Sequence, residues 1–286
     1  MSTGVAREQA RPATDVVVTT ALAAARPKPS TFGQWWILTT RLVEPTLRNG
    51  DVLTTIVAVV VFAVGWDIPL NHMMGARSGM SSYAQFLMPL IALQGISFAA
   101  ITGALHAATD SVKGINRRFD SMPIAPMTPL VARMSAGVYR CAVATAAALI
   151  TGHVIGFRFY RGLEYAVGFC VLLLLIGMVL SFMADLLGGY SRNPEATTQW
   201  LMLPQLIFGL LSVGIQPAEH FPDWIQPIVR NQPISQFIYA LRALGGDSTP
   251  AAGPVTWSVI GPSVAWLVGV TIVMVPSSLI LLLRRP

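Results

Sequence analysis

Charge is scarce in this chain. Asp, Glu, Lys and Arg make up 11% of its 286 residues, where a soluble domain carries about 25%. Lysine occurs only at Lys28 and Lys113, and neither follows glycines at P-loop spacing, which excludes ATP binding by that route. His-Glu-x-x-His, Gly-x-Ser-x-Gly and aspartate-rich metal motifs are all missing, and His72, His106, His153 and His220 are scattered. No catalytic constellation, metal site or cofactor site emerges. The two cysteines, Cys141 and Cys170, are expected at different depths of neighbouring helices. That argues against a disulfide and for small buried apolar residues.

What is present is apolar. Hydrophobic residues make 53% of the chain and the mean hydropathy is +0.60. The class is all-α, a polytopic membrane protein. The net charge of +6 marks a membrane face rather than a nucleic-acid surface.

Six segments reach the roughly 20 apolar residues of a spanning helix. They are Val52–Leu70 (after a turn at Asn49-Gly50, with Asp51 as N-cap), Ala84–Ala107, Met134–Phe157, Tyr165–Gly189, Trp200–Pro217 and Val259–Leu283. The basic residues settle orientation. Thirteen (Arg7, Arg11, Arg26, Lys28, Arg41, Arg48, Lys113, Arg117, Arg118, Arg133, Arg192, Arg284, Arg285) fall on one side. Five (Arg77, Arg158, Arg161, Arg230, Arg242) fall on the other, and Arg140 lies within a span. Both termini are therefore expected in the cytoplasm.

Residues 1–30 read as a disordered cytoplasmic tail. Arg7 and Arg11 before Val16–Ala25 imitate a signal peptide, but the apolar run is short and Asp15 borders it. Residues 31–50 read as an amphipathic interfacial helix. Phe32, Trp35, Trp36, Leu42, Val43 and Leu47 share one face, with Ile37 and Leu38 off it. Residues 51–286 read as a six-helix transmembrane domain.

Two connections stand out. Ala108–Leu130 holds Asp110, Lys113, Arg117, Arg118 and Asp120, then Pro123, Pro126 and Pro129. It must lie in water at a membrane face. On the opposite side, Ile234, Phe237, Ile238, Leu241 and Leu244 repeat with helical period between Pro233 and a capping Gly245. This predicts two short helices that dip into the outer leaflet and return.

Polar residues inside spans invite a functional reading. Arg140 and Asp185 are expected at comparable depth on neighbouring helices, as an ion pair that either locks them or relays protons. Gln94 and Gln205 accompany Pro89 and Pro204. Bent helices with inward amides line a pathway or bond to each other. Gly152-x-x-x-Gly156 permits close helix contact.

This order of elements resembles the ABC-2-type transporter permeases. The likeness rests on Trp35-Trp36 and Arg41 before the first span, on Asp110–Pro126 with Gly114 and Met122-Pro123, and on Asn231-Gln232-Pro233-Ile234 through Arg242. The chain departs in placing Gln232 between Asn and Pro, and Asp110 and Lys113 where many members carry Glu-Arg-Glu. More narrowly, NRRFDSMPIAPMTPL and RNQPISQFIYALRAL resemble the daunorubicin/doxorubicin-resistance exporter permeases of actinobacteria, above all the mycobacterial B-type subunits.

The resemblance implies a separate ATPase subunit that binds ATP and Mg, a second related permease, and surrounding membrane lipids. It implies export of hydrophobic drugs or of cell-envelope lipids such as phthiocerol dimycocerosates from the cytoplasmic membrane. Lys113, Arg117, Arg118, Phe119, Asp120, Met122 and Pro123 would dock on the ATPase. Spans two and five, with Pro89, Gln94, Phe98, Pro204, Gln205 and Phe208, would face the second permease and the substrate path. Phe221, Trp224, Phe237 and Arg242 would belong to an outer lid or lateral guide. The rivals are an ion-driven secondary transporter, a membrane-embedded lipid enzyme and a non-transporting scaffold. A proton-coupled carrier wants an unpaired carboxylate well inside a span, and none is found.

Overall fold

The computed structural model describes residues 30–74, 79–122, 124–125, 127–247 and 249–283. The expected tail and the Arg284-Arg285 end lie outside the described residues, as does Pro123. Among the described residues every regular element is helical. They are α1 (Thr31–Arg48), α2 (Asp51–Met74), α3 (Tyr83–Val112), α4 (Ile115–Asp120), α5 (Thr128–Ile155), α6 (Leu163–Tyr190), α7 (Pro194–Leu210), α8 (Gln226–Asn231), α9 (Pro233–Gly245) and α10 (Trp257–Leu283). Single 3-10 turns sit at Ala218–His220 and Pro250–Ala252.

Five of these helices are long and apolar enough to cross a membrane: α2, α3, α5, α6 and α10. Helix α7 covers the expected fifth span but differs at both ends. It begins six residues early, where Asn193 caps the amides of Glu195 and Ala196 and Pro194 takes the first turn. It stops at Leu210, before a buried turn at Ser212 and Gly214. Its 17 residues rise about 25 Å, short of a hydrocarbon core of about 30 Å.

Helix α3 occupies the centre. Of its most apolar window, 83% is buried, against 6–33% for the other four candidates. It packs on α2, α5, α6, α7 and α9. Span two is thus largely enclosed by its own chain. The α3–α6 approach depends on Gly188, where a Cβ would run into the Ala104 carbonyl. Of the Gly152/Gly156 pair, only Gly152 makes a close approach, against Met88 of α3. Gly156 instead ends α5 in the left-handed region at φ 111°. Both cysteines are free.

Helix α1 lies along α5, and the Trp35 indole donates to Ser135 Oγ at 3.0 Å. Leu38, expected off the apolar face, is half-buried and lines a cavity there. Phe32, Trp36, Ile37 and Leu47 are exposed. Asp51 is the first residue of α2 rather than its cap, and its carboxylate meets His106 Nε2 at 2.7 Å.

Candidate transport cleft and coupling segment

Helices α2, α3 and α7 border an apolar cleft of about 480 Å³. Phe62, Phe98, Met202, Leu203 and Leu206 supply most of its wall, and Gln94, Gln199 and Gln205 supply polar atoms. Gln205 Nε2 donates to Gln94 Oε1 at 2.6 Å. Gln205 Oε1 is buried and has no partner among the described residues, so the cleft holds one unsatisfied acceptor. Gly209 lets α7 come this close, since a Cβ there would strike the Gln94 amide. The Phe62 and Phe98 rings meet edge to face at 5.8 Å between centroids. Of the expected path residues, Gln94, Phe98 and Gln205 converge here. Pro89 is buried in the core, while Pro204 and Phe208 lie on the exposed side of α7, off the cleft.

Helix α9 and the residues before it pack against the end of α7. Arg242 is 5% exposed, without an acidic partner within 4 Å among the described residues. Its Nε donates to the Phe86 carbonyl at 3.1 Å and its Nη2 to the Val213 carbonyl at 2.7 Å. The guanidinium carbon stands 3.5 Å from the Phe86 ring centre. An arginine guanidinium keeps its charge at neutral pH even when enclosed. The Leu211 carbonyl accepts from Gln232 Nε2 and the Ile215 carbonyl from the Tyr83 hydroxyl. The Val213 amide donates to Ser235 Oγ. Side chains from α3 and α9 thereby satisfy the unwound backbone that follows α7. Phe237 is buried, Phe221 half-buried and Trp224 76% exposed.

At the other end of the bundle, Ser111 Oγ donates to the Gly189 carbonyl, fixing the end of α3 against α6. Gly114 then turns the chain at φ 68° into α4. Lys113, Arg118 and Met122 are exposed. Phe119 is half-buried with the Arg41 guanidinium 5.8 Å from its ring centre. The Ala125 amide donates to Gln34 Oε1. The connection is thus seated on α1. The side chains of Arg117 and Asp120 lie outside the described residues.

Arg140 and Asp185 influence each other electrostatically, but no ion pair within 4 Å joins them among the described residues.

Residues 56–280 match the family described as ABC-2 family transporter protein. The chain belongs to the ABC-2 transporter family. It is 52% identical over 263 residues to the "Doxorubicin resistance ABC transporter permease protein DrrB" of Mycobacterium tuberculosis, covering 90% of this chain and 91% of the relative. It is 28% identical over 232 residues to the "Probable doxorubicin resistance ABC transporter permease protein DrrC" of the same species, covering 79% and 82%. It is 29% identical over 164 residues to the "Daunorubicin resistance ABC transporter permease protein DrrB1" of Streptomyces coeruleorubidus, covering 57% of each. These ABC-2 relatives are permeases, transport components rather than enzymes. This ABC-2 chain is likewise a multi-pass membrane protein.

The structural roles of two glutamines escaped the sequence reading. Gln85 bonds the Arg158 and Gly245 carbonyls and the Arg158 amide. Gln232 closes the end of α7. An amide in an apolar run, and one immediately before a helix-starting proline, were the available signals.

Proposed function

We propose that this chain is the permease subunit of an ATP-driven exporter that moves hydrophobic drugs of the doxorubicin type out of the cytoplasmic membrane. The single observation that carries the reading is the 52% identity along 90% of the chain to a doxorubicin-resistance permease. The cleft between α2, α3 and α7 supports it. Its wall is aromatic and aliphatic with a few amides, the composition that suits a planar apolar drug bearing polar edges.

ATP and Mg belong to a separate ATPase subunit, and a second, related permease completes the conduit. The exposed Lys113, Arg118 and Met122 around α4 form the surface on which that ATPase pushes. Helix α7 and its satisfied tail count as the sixth crossing. Unwound backbone is tolerated at membrane depth only when protein covers it, and Gln232, Arg242 and Tyr83 meet that condition. Both termini then face the cytoplasm. Helices α8 and α9 re-enter from outside, with Phe221 and Trp224 on the approach.

A long-chain envelope lipid is the second reading. Trp200, Leu203 and Ile207 are exposed on the flank of α7, which supports entry from the bilayer. Affinity purification in mild detergent tests the assembly. A nucleotide-binding subunit and a second permease should co-purify, and isolation of this chain alone in active form counts against the reading.

A further inference from the structure

We propose that a basic cavity at the coupling end of the bundle binds the phosphate of an anionic phospholipid. The site is separate from the transport cleft and goes beyond the export reading. The cavity measures about 280 Å³ and is walled by α1, α3, α4 and α5. Arg41, Lys113, Arg133 and Arg140 line it, with His106 and, among the described residues, one carboxylate, Asp110.

The charges are arranged by depth. Arg41 and Lys113 are exposed, at the mouth. Arg133 lies further in, 3.6 Å from Asp110. Arg140 is 9% exposed and forms the base. Its Nη2 lies 2.8 Å from where a Cβ on Gly103 would stand, so the missing side chain makes its space. His106 is engaged by Asp51.

Arg140 Nε is buried and has no hydrogen-bond partner among the described residues. Asp185 and Asp51 act on Arg140 only from a distance. A buried cation without a contacting counter-ion is costly. A phosphate matches the guanidinium fork and removes that cost. The cavity has room, since one water takes about 30 Å³ of liquid.

Lipid is favoured as the source of the phosphate by where the cavity opens. It lies against α1, whose exposed Phe32, Trp36 and Leu47 suit the headgroup layer. Basic pockets between membrane helices at the cytoplasmic face hold anionic headgroups. A lipid seated here would touch α1, the start of α4 and the base of α5 together.

Native mass spectrometry of the full chain with its partner subunits tests the site. The probes are phosphatidylglycerol, phosphatidylcholine with the same acyl chains, and inorganic phosphate. Wild-type protein should bind phosphatidylglycerol about tenfold tighter than phosphatidylcholine, the size expected for one charged contact. Arg140→Gln should abolish the preference, and so should the mouth variant carrying Arg41→Gln and Lys113→Gln, which leaves the buried helices intact. Arg192→Gln, exposed after α6 at the same end of the bundle, should keep it. No preference in the wild type overturns the site, as does a preference that survives in the Arg140 and mouth variants. A loss of equal size in Arg192→Gln reduces it to diffuse surface charge and also overturns it. Displacement of the lipid by millimolar inorganic phosphate would assign the cavity to a soluble anion and overturn the lipid source.

Discussion

Gln205 reaches across from α7 to donate its side-chain amide to Gln94 of α3 at 2.6 Å, at the edge of an otherwise apolar cleft. The bond joins the most enclosed helix of the protein to one whose flank is largely exposed. It leaves Gln205 Oε1 buried without a partner among the described residues, and on the export reading a substrate entering between α3 and α7 would supply one. Removing the amide with Gln205→Leu should raise the KM for doxorubicin by about three- to tenfold, the worth of one hydrogen bond. Transport by proteoliposomes containing the assembled exporter measures it, and kcat should change less than KM.

The Arg242 guanidinium holds the end of α7 against α3 through two carbonyls and the Phe86 ring. Arg242→Met leaves those carbonyls unsatisfied and should destabilise the protein by about 2–4 kcal/mol. Arg242→Lys should recover only part, because an ammonium does not reproduce the fork. Thermal unfolding in detergent gives the order: wild type above Lys above Met.

Asp247 links the C-terminal end of α9 to the loop before α3. It accepts from the Ser81 amide at 2.6 Å and from Thr249. Burial alone pushes this carboxyl up, but hydrogen bonds from Ser81 and Thr249 outweigh that and hold it below the usual range. A depressed carboxyl adds stability that is present above its unfolded value of about 3.9 and is lost as pH falls through the folded value. Unfolding of the wild type should therefore steepen below about pH 4. Asp247→Asn should flatten that acid limb in thermal shift assays while lowering stability at pH 7.

Arg118 is exposed on α4 while Phe119 is tucked toward Arg41. Arg117→Glu with Arg118→Glu should uncouple the subunits. ATP hydrolysis by the assembled exporter should persist while drug transport falls at least about tenfold, the equivalent of about 1.4 kcal/mol of coupling. Parallel ATPase and transport assays read this directly.

Gly188 is fixed by contact rather than by backbone conformation. Any side chain there meets the Ala104 carbonyl of the central helix. Gly188→Val should cost about 1–3 kcal/mol by overpacking. The measurement is a lower midpoint of thermal unfolding in detergent.

Much of this architecture was legible in hydropathy alone, because a membrane helix must be apolar along its whole length. Five of the six expected spans correspond to long helices with ends shifted by a few residues. Helix α7 was misplaced because Thr197, Thr198 and Gln199 dilute its first turns. Its true start was nonetheless written in Asn193-Pro194, a cap followed by a first-turn proline. The periodic run from Ile234 to Leu244 gave α9 correctly, including its buried face.

Rotation about the helix axis was the information missing for the sites. Rise per residue placed Arg140 and Asp185 at similar depth, yet it could not tell that Arg140 would turn toward Gly103 and the cavity. For the same reason hydropathy could not show that Gln94, Phe98 and Gln205 share one cleft while Pro89, Pro204 and Phe208 lie off it. The roles of Gln85, Gln232 and Arg242 depend on which carbonyls are left unpaired. That becomes visible only once the broken end of α7 is seen.

The central claim is that this chain forms the conduit while another subunit supplies the energy. Doxorubicin accumulation in inside-out proteoliposomes tests it most directly, comparing this chain alone with the chain plus its ATPase and second permease. The account predicts ATP-dependent uptake in the complete assembly and none from the chain alone, with or without a proton gradient. Full uptake by the isolated chain in the absence of nucleotide would contradict it.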